Sequence, residues 1–141
     1  MREHAPSKPC RVLVADGDPN VRAALRLLLA RDPTFRVVGS SHHLAELLEA
    51  VATAQPDLIL LDWELPDLHA AANLSHLRDL CSQSAVIALS TRDEQRARAL
   101  ELGAAAFVGK REPPAQLLAT LRSATAPRQS ARPARPPVVS P

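Results

Sequence analysis

The sequence predicts an α/β fold, a five-stranded parallel sheet with helices on both faces. Strand-like and helix-like segments alternate five times along the chain, the order expected of such a sheet. The strand-like runs are continuous rather than alternating, as in Leu58-Ile59-Leu60-Leu61, which suits strands covered on both sides. Chemistry-bearing residues directly follow several of them, and open α/β sheets gather ligands at that carboxyl edge. Right-handed crossovers leave few topologies to consider.

Residues Met1 to Pro9 are polar and proline-bearing and read as a loose arm. Arg11-Val12-Leu13-Val14-Ala15 is the first strand, closed by Asp16-Gly17-Asp18. Pro19 suits the first position of a helix, with Asp18 as its N-cap. Val21, Ala24, Leu25 and Leu28 share that helix's apolar face, and Asp32-Pro33 stops it. Phe35 to Gly39 is the second strand, and Leu44, Leu47, Leu48 and Val51 mark the second helix. Leu58 to Leu61 is the third strand. Pro66 turns the chain soon after it, so Asp62 lies at a mouth. A helix through Leu74, Leu77 and Leu80 leads to the fourth strand, Ala85 to Leu89. Thr91-Arg92-Asp93-Glu94 has capping-box spacing, which places a helix start there with Thr91 as cap and leaves Ser90 free. Gly103 ends that helix, and Ala105 to Val108 is a short fifth strand. Pro113 and Pro114 open the last helix, with Leu117, Leu118 and Leu121 facing inward. Beyond Thr125 no periodicity remains. Residues 126–141 therefore read as a disordered tail or linker after a domain spanning 10–125.

The 141 residues suit one domain with spare length, and a 46% hydrophobic content is enough for one sizeable core. The aromatics are Phe35, Trp63 and Phe107, too few for the stacking platforms that single-stranded nucleic acid needs. The formal charge of +2 becomes −1 without Arg128, Arg132 and Arg135 of the tail, so no direct nucleic-acid binding by the fold is expected. Cys10 and Cys81 match no metal or redox spacing and read as reduced thiols. The first nine residues lack the apolar core of a signal peptide, and no apolar run approaches the roughly 20 residues that span a bilayer. A cytoplasmic protein without membrane contact is expected.

Asp16 and Asp62 each end an apolar strand. If those strands are neighbours, the carboxylates meet, and one keeps its proton unless a cation is present. Magnesium is the usual oxygen-ligated cation at a phosphate site. Ser90 offers a hydroxyl from the end of the fourth strand, and Lys110 a positive charge from the end of the fifth. Two acids, a hydroxyl and an amine at four strand ends suit phosphoryl transfer to a carboxylate. Plainer readings stand beside this one. Asp62 can cap a strand, Lys110 can be an ordinary surface lysine, and Phe107 can be core. Asp18, ahead of Pro19, is a helix cap first and a ligand second. His42 and His43 open a helix on a solvated side, and nothing suggests a metal pair.

Four stretches in register carry a family likeness: Val-Leu-Val-Ala-Asp-Gly-Asp-Pro (12–19), Pro-Asp-Leu-Ile-Leu-Leu-Asp-Trp-Glu-Leu-Pro (56–66), Val-Ile-Ala-Leu-Ser-Thr (86–91) and Leu-Gly-Ala-Ala-Ala-Phe-Val-Gly-Lys (102–110). From about Arg11 to Arg122 the chain resembles the receiver domain of two-component response regulators. Residues 110–118 look most like receivers that carry a helix-turn-helix output domain. The resemblance implies a flavodoxin-like (βα)5 three-layer sandwich with strand order 2-1-3-4-5. It implies a signalling domain rather than an enzyme, with Asp62 accepting phosphate from a histidine kinase or phosphotransfer protein. Asp16, Asp62 and the backbone carbonyl of Glu64 would hold Mg2+. Ser90 would swing toward the phosphoryl group, Lys110 would pair with it, and Phe107 would turn inward. The face of the fourth helix, fifth strand and fifth helix would then meet a downstream protein, an output domain or a second copy in a homodimer.

The sequence departs from the family at Gly17, where receivers carry a second acid that is a direct metal ligand. Asp18, one residue later, is the candidate substitute. After Pro66 the family reaches a glycine, where this chain has His69-Ala70, and Arg111 rather than proline follows Lys110. Two other functions compete. One is a binding module of the same fold that works without phosphorylation, motivated by Gly17. The other is a haloacid-dehalogenase-like phosphatase using Asp16 of Asp16-Gly17-Asp18, disfavoured by the lack of a later acidic pair and of room for a cap. With no output domain after the last helix, the chain reads either as a single-domain regulator or as a piece of a longer one.

Overall fold

The computed structural model describes residues 8–131. Strands β1 (Cys10–Ala15), β2 (Phe35–Ser41), β3 (Leu58–Asp62), β4 (Ala85–Ser90) and β5 (Ala106–Gly109) form one sheet in the order β2-β1-β3-β4-β5. Every pairing is parallel. Helices α1 (Pro19–Ala30), α2 (Leu44–Ala54), α3 (Leu74–Gln83) and α4 (Arg96–Glu101) make the four crossovers, and α5 (Pro114–Ala131) follows the last strand. The expected three-layer sandwich and strand order are both present.

Successive strand residues point to opposite faces, and each face is roofed. Leu13, Ile59, Leu61, Val86 and Phe107 pack under α2, α3 and α4 through Leu47, Val51, Leu77, Leu80 and Ala99. Val12, Val14, Leu58, Leu60, Ile87 and Val108 pack under α1 and α5 through Leu25, Leu29, Leu117 and Leu121. This two-sided cover is why the strands read as unbroken aliphatic runs. Leu29 and Leu121 are fully buried, and truncating either to alanine costs about 2–5 kcal/mol.

Polar side chains close the loops. Asp18 accepts the Asn20 amide at 2.8 Å and caps α1, as its position ahead of Pro19 suggests. Arg122 on α5 donates Nη2–H to Asp32 Oδ2 at 2.7 Å, and the Thr34 amide donates to Asp32 Oδ1 at 2.9 Å. The last helix is thereby pinned to the α1–β2 turn. Gly103 ends α4 with φ of +110°, and a Cβ there would stand 3.0 Å from Cys81 Cβ on α3. Both the backbone angle and the close approach require glycine.

The ends of β1, β3, β4 and β5 differ from the sequence reading by one residue, and three other boundaries differ by more. β2 runs past Gly39 to Ser41, skipping one residue at Val38 so that Val12 faces Val37 and Leu13 faces Gly39. The box at Thr91 caps nothing. A 3₁₀ turn at Asp93–Gln95 comes first, with no side-chain cap, and α4 begins only at Arg96. The Thr91 and Arg92 amides are already bonded to Glu64 and Ser90, which holds the segment off the helical path. The backbone of α5 stays helical through residue 125 and on to Ala131, so the tail expected from residue 126 begins inside a helix. The arm expected at residues 1–9 and the tail beyond Ala131 lie almost wholly outside the described residues.

Candidate functional site

Strand register builds the site. Ala15 pairs with Leu61, Asp62 with Leu89, and Ser90 with Gly109. Asp16, Asp62, Ser90 and Lys110 therefore stand side by side along the carboxyl edge of β1, β3, β4 and β5. The Asp16 amide donates to the Ser41 carbonyl at 3.0 Å, and the Lys110 amide donates to the Ser90 carbonyl at 2.8 Å. Arg22 of α1 donates to the Asp16 carbonyl at 2.7 Å.

Asp16 is 1% exposed and Asp62 6%, so both carboxylates face a poorly solvated rim. Lys110 Nζ lies between them, 2.9 Å from Asp16 Oδ2 and 3.1 Å from Asp62 Oδ1. Asp16 Oδ1 accepts the Asp18 amide at 2.9 Å, and Asp62 Oδ1 accepts the Glu64 amide at 3.0 Å. Burial pushes the Asp16 carboxyl above its ordinary value, further than the Asp18 amide and the Lys110 ammonium pull it back, and the Asp62 charge adds to the rise. Burial alone would lower Lys110, but the two carboxylates outweigh it and hold the ammonium above its usual value. The result is an anionic pair clamped by one cation, the local charge order that a phosphoryl group with a divalent cation would rearrange.

The remaining expectations divide. Ser90 is on the rim and fully buried, but its hydroxyl is not free. It donates to Glu64 Oε2, and its oxygen accepts the Arg92 amide at 2.9 Å. Phe107 already lies inward among the core residues. Arg96 stands over its ring, 4.7 Å from the centroid, and donates to its carbonyl at 3.3 Å. Asp18 is exposed and its Oδ1 accepts the Asn20 amide, so its role at the rim is that of the α1 cap. The space at Gly17 is open, since a Cβ there would meet only the His42 carbonyl at 3.8 Å. His42, His43 and Glu46 come together, with potential ligand atoms within 4.8 Å of one another. Their bonds close the start of α2: His43 Nδ1 accepts the Glu46 amide at 3.2 Å, and Glu46 accepts the His42 amide at 2.7 Å.

Sequence reasoning missed the Glu64 side chain, having named only its carbonyl, and it missed Arg96. A carboxylate two residues past a strand tip is a signal for the first, because a tight turn folds such a residue back over the edge. Nothing in the sequence marks Arg96.

The family model for the response regulator receiver domain matches residues 12–122. The chain is 31% identical over 121 residues to the nitrate/nitrite response regulator protein NarL of Escherichia coli (strain K12), covering 84% of this chain and 56% of that one. A putative transcriptional regulator of Pseudomonas aeruginosa is 33% identical over 118 residues, with 82% of this chain and 56% of the relative covered. The signal receiver domain of the putative response regulator NarL from Mycobacterium tuberculosis superposes with a TM-score of 0.73 at 28% identity, covering 85% of this chain and 99% of that domain. The fold and rim define a phosphorelay signalling module, and the chain belongs to the response regulator receiver family. It spans a little over half the length of these two curated relatives.

Receiver domains generally use Mg2+ at this rim, and the residues present fit it. Asp16 Oδ2 is buried and, apart from the ammonium ion pair, takes no directed hydrogen bond. Mg2+ binds through one or two carboxylates and keeps several waters, so the lack of a side chain at Gly17 removes one ligand without dismantling the set.

Proposed function

We propose that Asp62 is the phosphoacceptor of this receiver domain and that Asp16, Ser90 and Lys110 serve it. The observation that carries the reading is the Lys110 ammonium held between two buried strand-end carboxylates. Asp62 Oδ1 is engaged by the Glu64 amide and by Lys110, whereas no hydrogen bond or ion pair reaches Oδ2 among the described residues. Oδ2 is the nucleophile. Its lone pair forms the new bond to phosphorus, the bond from phosphorus to the donor's leaving group breaks, and that group departs with the electron pair. Bound Mg2+ would neutralise charge developing on the phosphoryl oxygens. Asp16, Asp62 and the Glu64 carbonyl would hold it. Lys110 then pairs with the new phosphate, and Ser90, drawn to it, passes the change to the face formed by α4, β5 and α5, where a downstream protein, an output domain or a second copy docks.

The donor is a cytoplasmic histidine kinase or phosphotransfer protein. A groove of about 550 Å³ between α1 and α5, lined by Val21, Ala24, Leu25, Leu28 and Leu117, opens beside Lys110. Leu27 on its wall is 69% exposed. An apolar surface next to the acceptor suits a donor that must bring its phosphoryl group to the rim. The test is intact mass after incubation with acetyl phosphate and Mg2+. The wild type gains one phosphoryl group and Asp62→Asn gains none. A wild type that gains none, or an Asp62→Asn variant that still gains one, refutes the assignment.

A further inference from the structure

Glu64 lies two residues past Asp62, and the hydrogen bond its amide donates to Asp62 Oδ1 turns the chain back over the sheet edge. Its carboxylate thereby reaches the tip of β4. Oε2 accepts the Ser90 hydroxyl, and Oε1 accepts the Thr91 amide at 3.4 Å. Resting on Asp62 as the phosphoacceptor, we propose that the Glu64 carboxylate is a built-in stand-in for the phosphoryl group, occupying in the unmodified domain the donors that phosphorylated Asp62 recruits.

The chemistry makes the two occupants exclusive. A serine hydroxyl has one proton to donate, so Ser90 serves Glu64 or a phosphoryl oxygen, not both. Carboxylate and phosphoryl oxygens are both anionic acceptors that favour hydroxyl and amide donors. They also repel each other, most strongly where water is scarce, and Ser90 is fully buried. Phosphorylation therefore has to expel Glu64 from Ser90 and Thr91. Phe107, meanwhile, is already inward beneath Arg96. The switch pair is thus set before any phosphate arrives. Glu64 raises the share of the set state in the unmodified chain and reduces what phosphate gains from the same contacts. Glu64 acts as a positioning residue, through Ser90.

The probe is beryllofluoride with Mg2+, an analogue of the phosphoryl group on an aspartate, titrated against the full chain. The readout is the fluorescence of Trp63, the only tryptophan and the neighbour of Asp62. Glu64→Ala should tighten beryllofluoride binding about three- to tenfold, the value of one net hydrogen bond recovered. Glu64→Gln, which keeps an acceptor oxygen, should fall between it and the wild type. In a Ser90→Ala background the gain should vanish. An equal gain with and without the Ser90 hydroxyl would show that Glu64 acts by charge alone, and no gain in either would show that it does nothing; each overturns the proposal. A second measurement needs no phosphate analogue: the Thr91 amide of the free protein should exchange with solvent about threefold faster, or more, in Glu64→Ala. Unchanged exchange also overturns the proposal. Should the wild type take up no beryllofluoride while Thr91 exchange still responds to Glu64, the contact stands and the Asp62 reading fails.

Discussion

Replacing Lys110 with methionine keeps the length of the side chain and removes its charge, which leaves Asp16 and Asp62 facing each other across a rim where they are 1% and 6% exposed. Breaking a buried ion cluster by deleting one partner costs about 3–5 kcal/mol. Lys110 retains 20% side-chain exposure, so solvent reaches the gap and about 3 kcal/mol is the expected loss at pH 7. The loss should depend on pH. The folded-state pKa of Asp16 is already raised above 3.8 by burial, so the folded chain takes up that proton more readily than the unfolded one. Without Lys110 it rises further. As pH falls toward the Asp16 value the carboxyl neutralises, the repulsion disappears, and the variant should close on the wild type. At the other end, the stabilisation from Lys110 is full below 10.5 and is lost as pH rises through its raised folded value, so the two proteins should also converge in strong alkali. Urea unfolding of both proteins at pH 7 and at successively lower pH, down to 3.8, measures the difference. A loss below about 0.5 kcal/mol, within the range of an unremarkable surface change, or one that does not vary with pH, would refute the clamp.

Gly17→Asp restores an acid to open space, and its affinity for Mg2+ by calorimetry should exceed that of the wild type by about tenfold or more. Arg122→Ala should cost about 1–2 kcal/mol in thermal or urea melts at pH 7. Asp32 is held below its ordinary value, first by the Thr34 amide and then by Arg122, so the stability it lends is present above 3.8 and fades as pH falls through its lowered folded value; the Arg122→Ala deficit should shrink in acid. Gly103→Ala must adopt a positive φ and stand 3.0 Å from Cys81, and should lose about 1–3 kcal/mol with phosphorylation chemistry intact. Leu27→Asp should slow transfer from a protein phosphodonor while leaving transfer from acetyl phosphate unchanged.

The strand tips were legible because a doubly covered parallel sheet writes itself as unbroken aliphatic runs, and the residue after each run must lie at the edge. Asp16, Asp62, Ser90 and Lys110 were therefore locatable from Val12-Leu13-Val14-Ala15, Leu58-Ile59-Leu60-Leu61, Val86-Ile87-Ala88-Leu89 and Phe107-Val108-Gly109. The partners of those residues were not. Whether Ser90 serves Asp62 or Glu64 depends on how sharply the chain turns after Asp62, which is decided by the hydrogen bond from the Glu64 amide to Asp62 Oδ1. The same contact explains the capping box that capped nothing, because the amides after Ser90 are taken before a helix can use them. A propensity rule reads local competition for backbone donors and cannot see a carboxylate arriving from another strand. The Arg122–Asp32 tie, 90 residues apart in the chain, was hidden for the same reason.

The most direct measurement is borohydride trapping of the acetyl phosphate-treated chain with Mg2+ present, followed by peptide sequencing. An acyl phosphate at Asp62 is reduced to homoserine, so homoserine at position 62 and nowhere else is the expected result, with less of it in Lys110→Met, which lacks the cation that pairs with the phosphate. Homoserine at Asp16, 2-amino-5-hydroxypentanoic acid at Glu64, or neither in the wild type under conditions that trap another receiver, would contradict the assignment.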